Sequence, residues 1–207
     1  MSFSLIILAG GNSHRFKSNI GKPYQKIGGK SLVEINIIKA RKFKQIKTII
    51  LVYNKKDKKI VKSLKMKDVK LILGGKNRQQ STFNALKYLI KSKGITNVLI
   101  HDAARPNFTI KLLKNLINSL KRNNASIPVI SSKDSIKYKV KNQLFNLNRS
   151  NSYLTQTPQA FNYKKIYNLT IKQKNKIQDE ATLFIDNNLK IKYIKRENLN
   201  NKLTLKE

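Results

Sequence analysis

Three polar segments, each directly after an apolar run, contain the residues of this chain that are best suited to chemistry. The runs at 3–9, 69–74 and 97–101 lead into Gly10-Gly11-Asn12-Ser13-His14-Arg15, Gly75-Lys76-Asn77-Arg78 and Asp102-Ala103-Ala104-Arg105-Pro106. Guanidinium groups and free backbone N–H groups bind anions, and a carboxylate can bind a metal ion or balance charge. Because the chain has only ten acidic residues, we expect the aspartate of the third segment, Asp102, to be functional.

The segment 71–89, LILGGKNRQQSTFNALKYL, predicts a strand, a glycine turn and a helix. Residues 71–73 are interpreted as the end of a buried strand, and helical spacing relates Phe83, Leu86, Leu89 and Ile90. Gly75, Arg78 and Ser81 then meet near a helix N-terminus, where N–H groups, a guanidinium and a hydroxyl suit an anion or a polar heterocycle. The junction indicates a binding loop without naming its ligand.

The residue types exclude several kinds of site. The chain has no cysteine and two histidines, which excludes disulfides, cysteine nucleophiles and metal centres rich in histidine or thiolate. No GxGxxG motif, Walker A motif or GxSxG elbow occurs. Asp102 and Asp179 offer oxygen ligands that suit Mg²⁺ shared with phosphates. His101 is expected to be a core or supporting hydrogen-bonding residue rather than a metal ligand.

Length and charge limit the function further. The 207 residues contain no linker or internal repeat and predict one domain over 1–207. The early apolar run at 5–9 is too short for a secretory segment or a membrane span, and the lack of cysteine fits a cytoplasmic protein. The net charge of +34 comes mainly from scattered lysines, with only seven arginines. We therefore expect a solvated surface that steers polyanionic substrates, not a nucleic-acid partner.

The elements that must position these residues alternate along the chain. Apolar runs of strand length occur at 3–9, 47–53, 69–74, 97–101, 125–130 and 189–194, and helical patterns separate most of them. One helix is expected to begin with a capping box at Ser31, and its apolar face is expected to contain Ile35, Ile38 and Phe43. The alternation predicts a Rossmann-like α/β fold, a mostly parallel sheet with helices on both faces and ligands beyond the carboxyl ends of its strands.

Residues 131–157 interrupt this alternation. Apolar and polar residues alternate weakly there, around Ile136, Tyr138, Val140 and Leu144. The pattern predicts a projecting β-hairpin arm with Lys141-Asn142 at its tip. Because a hairpin that projects from a compact sheet needs a partner to cover it, the segment predicts a homodimer.

Eight motifs together resemble one enzyme family. They are AGGNSHRF, KPYQKIGGKSL, GGKNRQQSTFNAL, HDAARP, DSIK, QTPQAF, DEATLF and NNKLT, and they fall within residues 3–204. Their order is similar to that of the 2-C-methyl-D-erythritol 4-phosphate cytidylyltransferases of the non-mevalonate isoprenoid pathway. The resemblance implies transfer of CMP from CTP to 2-C-methyl-D-erythritol 4-phosphate, release of pyrophosphate, and Mg²⁺ as the cofactor. Since the attacking phosphate oxygen is already anionic, such catalysis depends on alignment and on neutralising charge.

The resemblance also implies a role for each matching residue. Arg15 and Lys22 would be catalytic and would stabilise charge that develops on the triphosphate. The positions that bind CTP would be Ala9, Gly10, Gly11, Asn12, Ser13, Gly75, Arg78 and Ser81, the last three at the cytosine and ribose. The acceptor would meet Arg105, Ser135, Arg149, Thr157 and Lys202, with Ser135 and Arg149 reaching across from the partner's arm. Asp102 would bind Mg²⁺.

The sequence departs from the family pattern at several positions, and alternatives stay open. Pro23 follows Lys22, whereas the family usually has its proline before the lysine; Ser13 replaces a common glycine, and Ser135 a threonine. The acceptor could be another polyol phosphate, such as ribitol 5-phosphate. An alternative of another class is a basic nucleic-acid-binding protein on a degenerate nucleotidyltransferase fold. Relatives usually continue into a closing helix after the position of Thr204, so we expect this chain to be either a short form of the family or part of a longer or fused protein.

Overall fold

The computed structural model describes residues 1–11, 20–64, 66–195 and 200–203. Its strands in these ranges are β1 (Phe3–Ala9), β2 (Lys26–Ile27), β3 (Lys30–Ser31), β4 (Ile46–Tyr53), β5 (Val69–Leu73), β6 (Asn97–Asp102), β7 (Ala125–Ser131), β8 (Ile136–Val140), β9 (Gln143–Leu147), β10 (Tyr153–Thr155), β11 (Gln159–Asn162) and β12 (Lys192–Lys195). The helices are α1 (Leu32–Arg41), α2 (Lys58–Ser63), α3 (Arg78–Leu89), α4 (Ile110–Ser119), α5 (Tyr163–Lys172) and α6 (Ala181–Ile185). Short 3₁₀ turns occur at Lys22–Tyr24, Lys55–Asp57 and Arg149–Asn151.

The main sheet has the strand order β10-β7-β11-β6-β1-β4-β5, and β12 pairs with β7. Strands β6, β1, β4 and β5 are mutually parallel, β12 is parallel to β7, and β10 and β11 are antiparallel to their neighbours. The prediction of a mostly parallel sheet is therefore confirmed. Ala9 is in register with Tyr53, Tyr53 with Leu73, and Leu8 with Asp102, so four carboxyl ends meet at one edge.

Helices cover both faces of this sheet, as predicted. The side chains of β1 alternate between the two faces, so that Leu5 and Ile7 pack with α1 and α4, while Ile6 packs with α3, α5 and α6. Each face thus has its own apolar core, which is why the central strands are apolar at consecutive positions. None of the helices in the described ranges combines the length and apolarity that a bilayer span requires.

The sequence prediction was wrong about the environment of β5. Leu71 and Leu73 were expected to lie in a buried strand, but they are 41% and 47% exposed. Within the described ranges β5 pairs with β4 alone and closes the strand order on that side. An edge strand is covered less completely than a central one, and an apolar run by itself does not distinguish the two.

Helix α1 begins as predicted but faces the core differently. Ser31 Oγ accepts the backbone N–H of Glu34 at 3.2 Å, and the Ser31 N–H donates to Glu34 Oε2 at 2.8 Å, which completes the capping box. Ile38 is 39% exposed, whereas Asn36 and Ile37 are buried. The expected apolar face was therefore wrong at Ile38, while Phe43 is buried in the core as expected. A polar residue, Asn36, lies on the buried face instead.

The predicted arm is a hairpin formed by β8 and β9. Val140 pairs with Gln143, which leaves Lys141-Asn142 as a two-residue turn, as predicted. Lys141 has φ of 51°, in the left-handed region that such turns require. The hairpin is a separate two-stranded sheet and fills only 136–147 of the predicted range, since Tyr153–Thr155 return to the main sheet as β10.

Candidate active site

A cavity of about 420 Å³ opens at the edge where the carboxyl ends of β1, β4, β5 and β6 meet. Of the site residues predicted from the sequence, its lining contains Ala9, Gly10, Gly11, Lys22, Gly75, Arg78, Ser81, Asp102 and Lys202. The lining also contains Lys76 and Asn77, which belong to the second polar segment but were given no role, and Asn54, which was not predicted. Asn12, Ser13 and Arg15 lie outside the described residues. The structure thus brings together, from four strand ends and a C-terminal segment, residues that are up to about 190 positions apart in sequence.

The glycine turn between β5 and α3 is held by short polar contacts. Ser81 Oγ accepts the Gly75 N–H at 3.0 Å and donates to Asn77 O at 2.8 Å. Asn77 caps α3 by accepting the Gln80 N–H at 2.8 Å. A Cβ atom on Gly75 would lie 2.4 Å from Gln80 Cγ, so a larger residue would push this side chain away. The turn therefore presents its backbone to the cavity at the start of a 12-residue helix.

Lys22 lies at the first position of a 3₁₀ turn. Lys22 and Lys202 are far apart in sequence but line the same cavity. Pro23 takes an early position of this turn, where its fixed φ is favourable. Tyr24 is buried in the core and anchors the turn from below. The proline after Lys22 is thus compatible with a lysine that faces the cavity.

Arg78 connects two carboxylates. Its Nη1 donates to both Glu180 oxygens at 2.8 Å, and its Nε lies 3.5 Å from Asp102 Oδ1. Glu180 is 1% exposed and also accepts the Thr82 hydroxyl at 2.8 Å. Burial lowers the pKa of Arg78, but Glu180 and Asp102 outweigh burial and raise the pKa above its usual range. Arg78 therefore stays charged and holds Asp102 against α3.

Glu180 is the functional neighbour that sequence reasoning missed. It lies within the DEATLF motif, but its partner Arg78 is 102 residues earlier in the chain. A local sequence pattern cannot show that two residues so far apart in sequence form an ion pair. The rarity of acidic residues was the one available signal. A buried carboxylate in a chain of net charge +34 requires a specific cation, and Arg78 supplies it.

Asp102 carries its negative charge between two cations. Lys202 Nζ donates to Asp102 Oδ2 at 2.9 Å, and Arg78 lies beside the other oxygen. Burial raises the pKa of Asp102, but Arg78, Lys202 and His101 outweigh it and lower the pKa to about 2. The carboxylate is therefore ionised at neutral pH and available as a hard oxygen ligand.

Two predicted acceptor residues, Arg105 and Thr157, lie next to the cavity and outside its lining. Arg105 Nη1 donates to Asn200 O at 3.0 Å, which joins the turn after β6 to the segment that carries Lys202. Thr157 is buried, and its Oγ1 accepts the Asp102 N–H at 3.0 Å and lies 3.1 Å from His101 Nδ1. Its hydroxyl is thus engaged within the protein below Asp102.

The other two predicted acceptor residues, Ser135 and Arg149, lie on either side of the β8–β9 hairpin and outside the cavity lining of the same chain. Ser135 Oγ accepts Lys137 Nζ at 3.0 Å, and Arg149 Nη1 donates to Lys133 O at 3.1 Å. Both side chains are exposed. The prediction that they serve a neighbouring subunit stays a prediction.

Among the described residues, no group of three or more His, Asp or Glu side chains could hold a metal ion. Asp179 is engaged elsewhere, since its Oδ2 accepts Thr155 Oγ1 at 2.9 Å and Gln159 Nε2 at 2.8 Å. Asp102 is the one carboxylate in the described cavity lining. The residues therefore fit a Mg²⁺ ion that takes a single protein carboxylate and completes its shell with ligand oxygens and water.

Comparisons with known proteins identify a family to which this chain is similar. A family model described as 2-C-methyl-D-erythritol 4-phosphate cytidylyltransferase matches residues 3–207. The enzyme of that name from Thermosipho melanesiensis is 33% identical over 214 residues, which cover 98% of this chain and 92% of the relative. The bifunctional enzyme IspD/IspF of Pelagibacter ubique is 49% identical over 205 residues, and the match covers 99% of this chain and 55% of the relative. The chain thus spans about half the length of that relative.

Solved structures give the same result. The crystal structure of 4-diphosphocytidyl-2C-methyl-D-erythritol synthase from Anaerococcus prevotii superposes with a TM-score of 0.84 at 33% identity, covering 99% of this chain and 93% of that chain. The bifunctional IspDF of Campylobacter jejuni also gives a TM-score of 0.84, at 27% identity, and the match covers 99% of this chain and 52% of that chain.

Proposed function

Because the chain belongs to the 2-C-methyl-D-erythritol 4-phosphate cytidylyltransferase family, we propose that it transfers CMP from CTP to 2-C-methyl-D-erythritol 4-phosphate in isoprenoid precursor biosynthesis and releases pyrophosphate. One observation carries the proposal beyond family membership. The cavity at the strand ends joins a glycine turn at a helix start, the lysine Lys22, and an ionised Asp102 paired with Lys202. This combination suits a nucleoside triphosphate beside a second phosphate.

The reaction needs positioned positive charge more than it needs a base. A phosphate oxygen of the acceptor attacks the α-phosphorus of CTP, and pyrophosphate leaves with the electrons of the broken P–O bond. The attacking oxygen is already anionic, so no proton has to be removed from it. Lys22 is proposed to stabilise the charge that develops in the transition state, together with Arg15, and Lys202 is proposed to hold the acceptor phosphate.

The two substrates are proposed to occupy different parts of the cavity. The backbone of 9–11 and the turn at Gly75 and Ser81 are proposed to bind the nucleotide, since they bring main chain and little side-chain bulk to the cavity. Lys202 and the neighbouring Arg105 are proposed to bind the acceptor, because they lie together on the other side of Asp102. Arg78 is paired with Glu180 and is proposed to hold Asp102 in place between the nucleotide and the acceptor.

Mg²⁺ is proposed as the cofactor, with Asp102 as its protein ligand. When bound, it would neutralise phosphate charge and orient the triphosphate. Lys202 Nζ donates to one oxygen of Asp102, so an ion at that oxygen requires the ammonium group to move aside. That movement would free Lys202 for the acceptor phosphate.

A homodimer is proposed to complete the acceptor end. One face of the arm is apolar and exposed, with Tyr138 stacked on Phe145 at 5.3 Å and Leu147 and Val140 on either side. A second copy would cover this face and bring its own Ser135 and Arg149 towards the first chain's cavity.

A cytoplasmic location is proposed from the lack of cysteine, which suits a reducing compartment.

A pyrophosphate-release assay with CTP, Mg²⁺ and 2-C-methyl-D-erythritol 4-phosphate tests the proposal directly. We expect rapid release with this acceptor and little with ribitol 5-phosphate, and we expect CTP to be preferred over the other nucleoside triphosphates. Faster release with ribitol 5-phosphate would assign the enzyme to another polyol phosphate. Absence of release with either acceptor, together with tight and salt-sensitive binding to duplex DNA or RNA, would favour a nucleic-acid-binding protein.

A further inference from the structure

His101 is fully buried below the turn that carries Asp102 and Arg105, and both of its ring nitrogens have partners. Its Nε2 lies 3.0 Å from Arg105 O and 3.3 Å from Asn36 Oδ1, and its Nδ1 lies 3.1 Å from Thr157 Oγ1. The ring also packs edge-on against Phe108 with 4.8 Å between centroids. One side chain therefore connects β6 with α1 and with the segment before β11.

The partners of this ring determine where its proton lies. Arg105 O can only accept, so the Nε2 that faces it must carry the hydrogen. Thr157 Oγ1 already accepts the Asp102 N–H, which leaves its own hydroxyl hydrogen to donate to Nδ1. The resulting chain runs from the Asp102 N–H through Thr157 and His101 to Arg105 O. In this chain each N–H or O–H donor has an acceptor.

These bonds hold the turn from Asp102 to Arg105 from below. The turn itself is closed by the Arg105 N–H, which donates to Asp102 O at 3.0 Å. Asn36 Nδ2 donates to Ala103 O at 2.9 Å, and the Ala103 N–H donates to Leu8 O at 3.1 Å. Side chains from α1, from β6 and from the segment before β11 thus fix both ends of the turn.

The segment that carries Lys202 is attached to the same turn. Asn200 Nδ2 donates to Thr157 O at 2.8 Å, and the Leu203 N–H donates to Ala104 O at 2.9 Å. A displacement of the turn would therefore move Asp102 and Lys202 together. The glycine turn at Gly75 has its own separate hydrogen bonds and would keep its place.

We propose that His101 is a positioning residue that, through its Nε2–H bond to Arg105 O and its partners Asn36 and Thr157, places the Asp102 carboxylate and the Lys202 ammonium relative to the nucleotide end of the cavity. His101 is absent from the described cavity lining and acts only through these neighbours. The inference rests on the proposed cytidylyltransfer. It predicts a defect that is confined to the acceptor and metal end and leaves CTP binding intact.

Two substitutions of His101 separate positioning from packing. His101→Gln retains an N–H donor near the position of Nε2, and His101→Asn retains a polar group only near the position of Nδ1. We expect His101→Asn to lose roughly 10- to 100-fold in kcat/KM for the acceptor and to require more Mg²⁺ for half-saturation, as for other residues that orient a metal ligand. His101→Gln should recover most of both losses. CTP affinity, measured by calorimetry without acceptor or metal, should match the parent in both variants.

A matched pair of buried asparagines provides a second test if His101→Asn does not fold. Asn36 reaches the turn, whereas Asn97 is buried at the opposite end of β6, where its Nδ2 donates to Thr96 Oγ1 at 2.8 Å. We expect Asn36→Ser to shift the acceptor and Mg²⁺ parameters in the same direction as His101→Asn. Asn97→Ser should lower the melting temperature without shifting either parameter.

Several results would overturn the inference. Equal losses in His101→Gln and His101→Asn, proportional to their loss of stability, would show that the ring only fills space. A fall in CTP affinity together with the acceptor parameters would show a general collapse of the cavity. Equal effects of Asn36→Ser and Asn97→Ser on kinetics would remove the link to the turn. An inactive parent protein would reject the proposed function and with it the inference, whereas an active parent with an unaffected His101→Asn would reject the inference alone.

Discussion

The proposed reaction depends most on Lys22, which lines the cavity and is held in place by its own 3₁₀ turn. Lys22→Ala should lower turnover by at least ~10²-fold and change CTP affinity far less, since a contact that strengthens in the transition state contributes selectively to rate. Steady-state kinetics with a separate CTP titration measure the two effects. Lys26→Ala, an exposed lysine outside the cavity lining, is the matched control and should behave as the parent. Near-normal turnover of Lys22→Ala would assign the catalytic charge to another residue.

Asp102 is the residue that tests the metal proposal. Asp102→Asn keeps the volume but removes the anionic oxygen, and Arg78 keeps Glu180 as its partner. We expect activity that no longer responds to Mg²⁺ and a melting temperature close to that of the parent. Thermal unfolding is the control. A variant that melts far below the parent would show that Asp102 mainly balances the charges of Arg78 and Lys202.

His101 is also expected to make the stability of the folded protein depend on pH. The pKa of His101 is lowered to about 4, mainly because the ring is buried; Asp102 and the bond to Arg105 O oppose this shift, and the charges of Arg105 and Lys39 add to it. As pH falls below about 6.5, the unfolded chain binds this proton while the folded protein does not, so stability is lost progressively down to about pH 4. Urea unfolding at about pH 7 and about pH 5, without added metal, should show a smaller loss for His101→Gln. An identical loss in both proteins would contradict the assignment.

At the scale of one element, α1 depends on its capping box. Ser31→Ala removes the hydroxyl that accepts the Glu34 N–H and should cost about 1 kcal/mol in the free energy of unfolding. The helix positions Asn36 below the turn from Asp102 to Arg105, so a frayed helix start should also weaken activity. Ser63→Ala makes the same chemical change on α2, where the hydroxyl only donates to Ile60 O, and should be nearly neutral. Equal costs for the two serines would show that the cap contributes nothing specific.

For the whole molecule, the arm makes assembly and catalysis interdependent. If Arg149 serves the neighbouring subunit, a mixture of Arg149→Ala and Lys22→Ala proteins should regain activity, because each heterodimer assembles one undamaged site and one doubly damaged site. Each variant alone should be nearly inactive. Subunit exchange is verified with differently tagged chains. Exchange without recovery would mean that Arg149 acts within its own chain or has no part in acceptor binding.

The sequence by itself determined the features that depend on short stretches of chain. The apolar run of β1 matches its strand from Phe3 to Ala9, the capping box at Ser31 formed as expected, and the arm turns at Lys141-Asn142. Spacing and side-chain type specify such features because strand alternation, helix caps and two-residue turns are set by neighbours in the chain. The meeting of three polar segments at one sheet edge followed from the parallel order of the strands.

Only the tertiary structure decided which partners those residues meet. It placed Asn36 in the core, turned the Thr157 hydroxyl under Asp102, joined Arg78 to a buried Glu180, and exposed Leu71 and Leu73 at the edge of the sheet. The last strand also begins at Lys192, three residues after the start of the apolar run, 189–194, that predicted it. These outcomes depend on contacts between residues about 60 to 100 positions apart, and such contacts form only when the strands and helices pack, because a buried polar group takes whichever partner satisfies it.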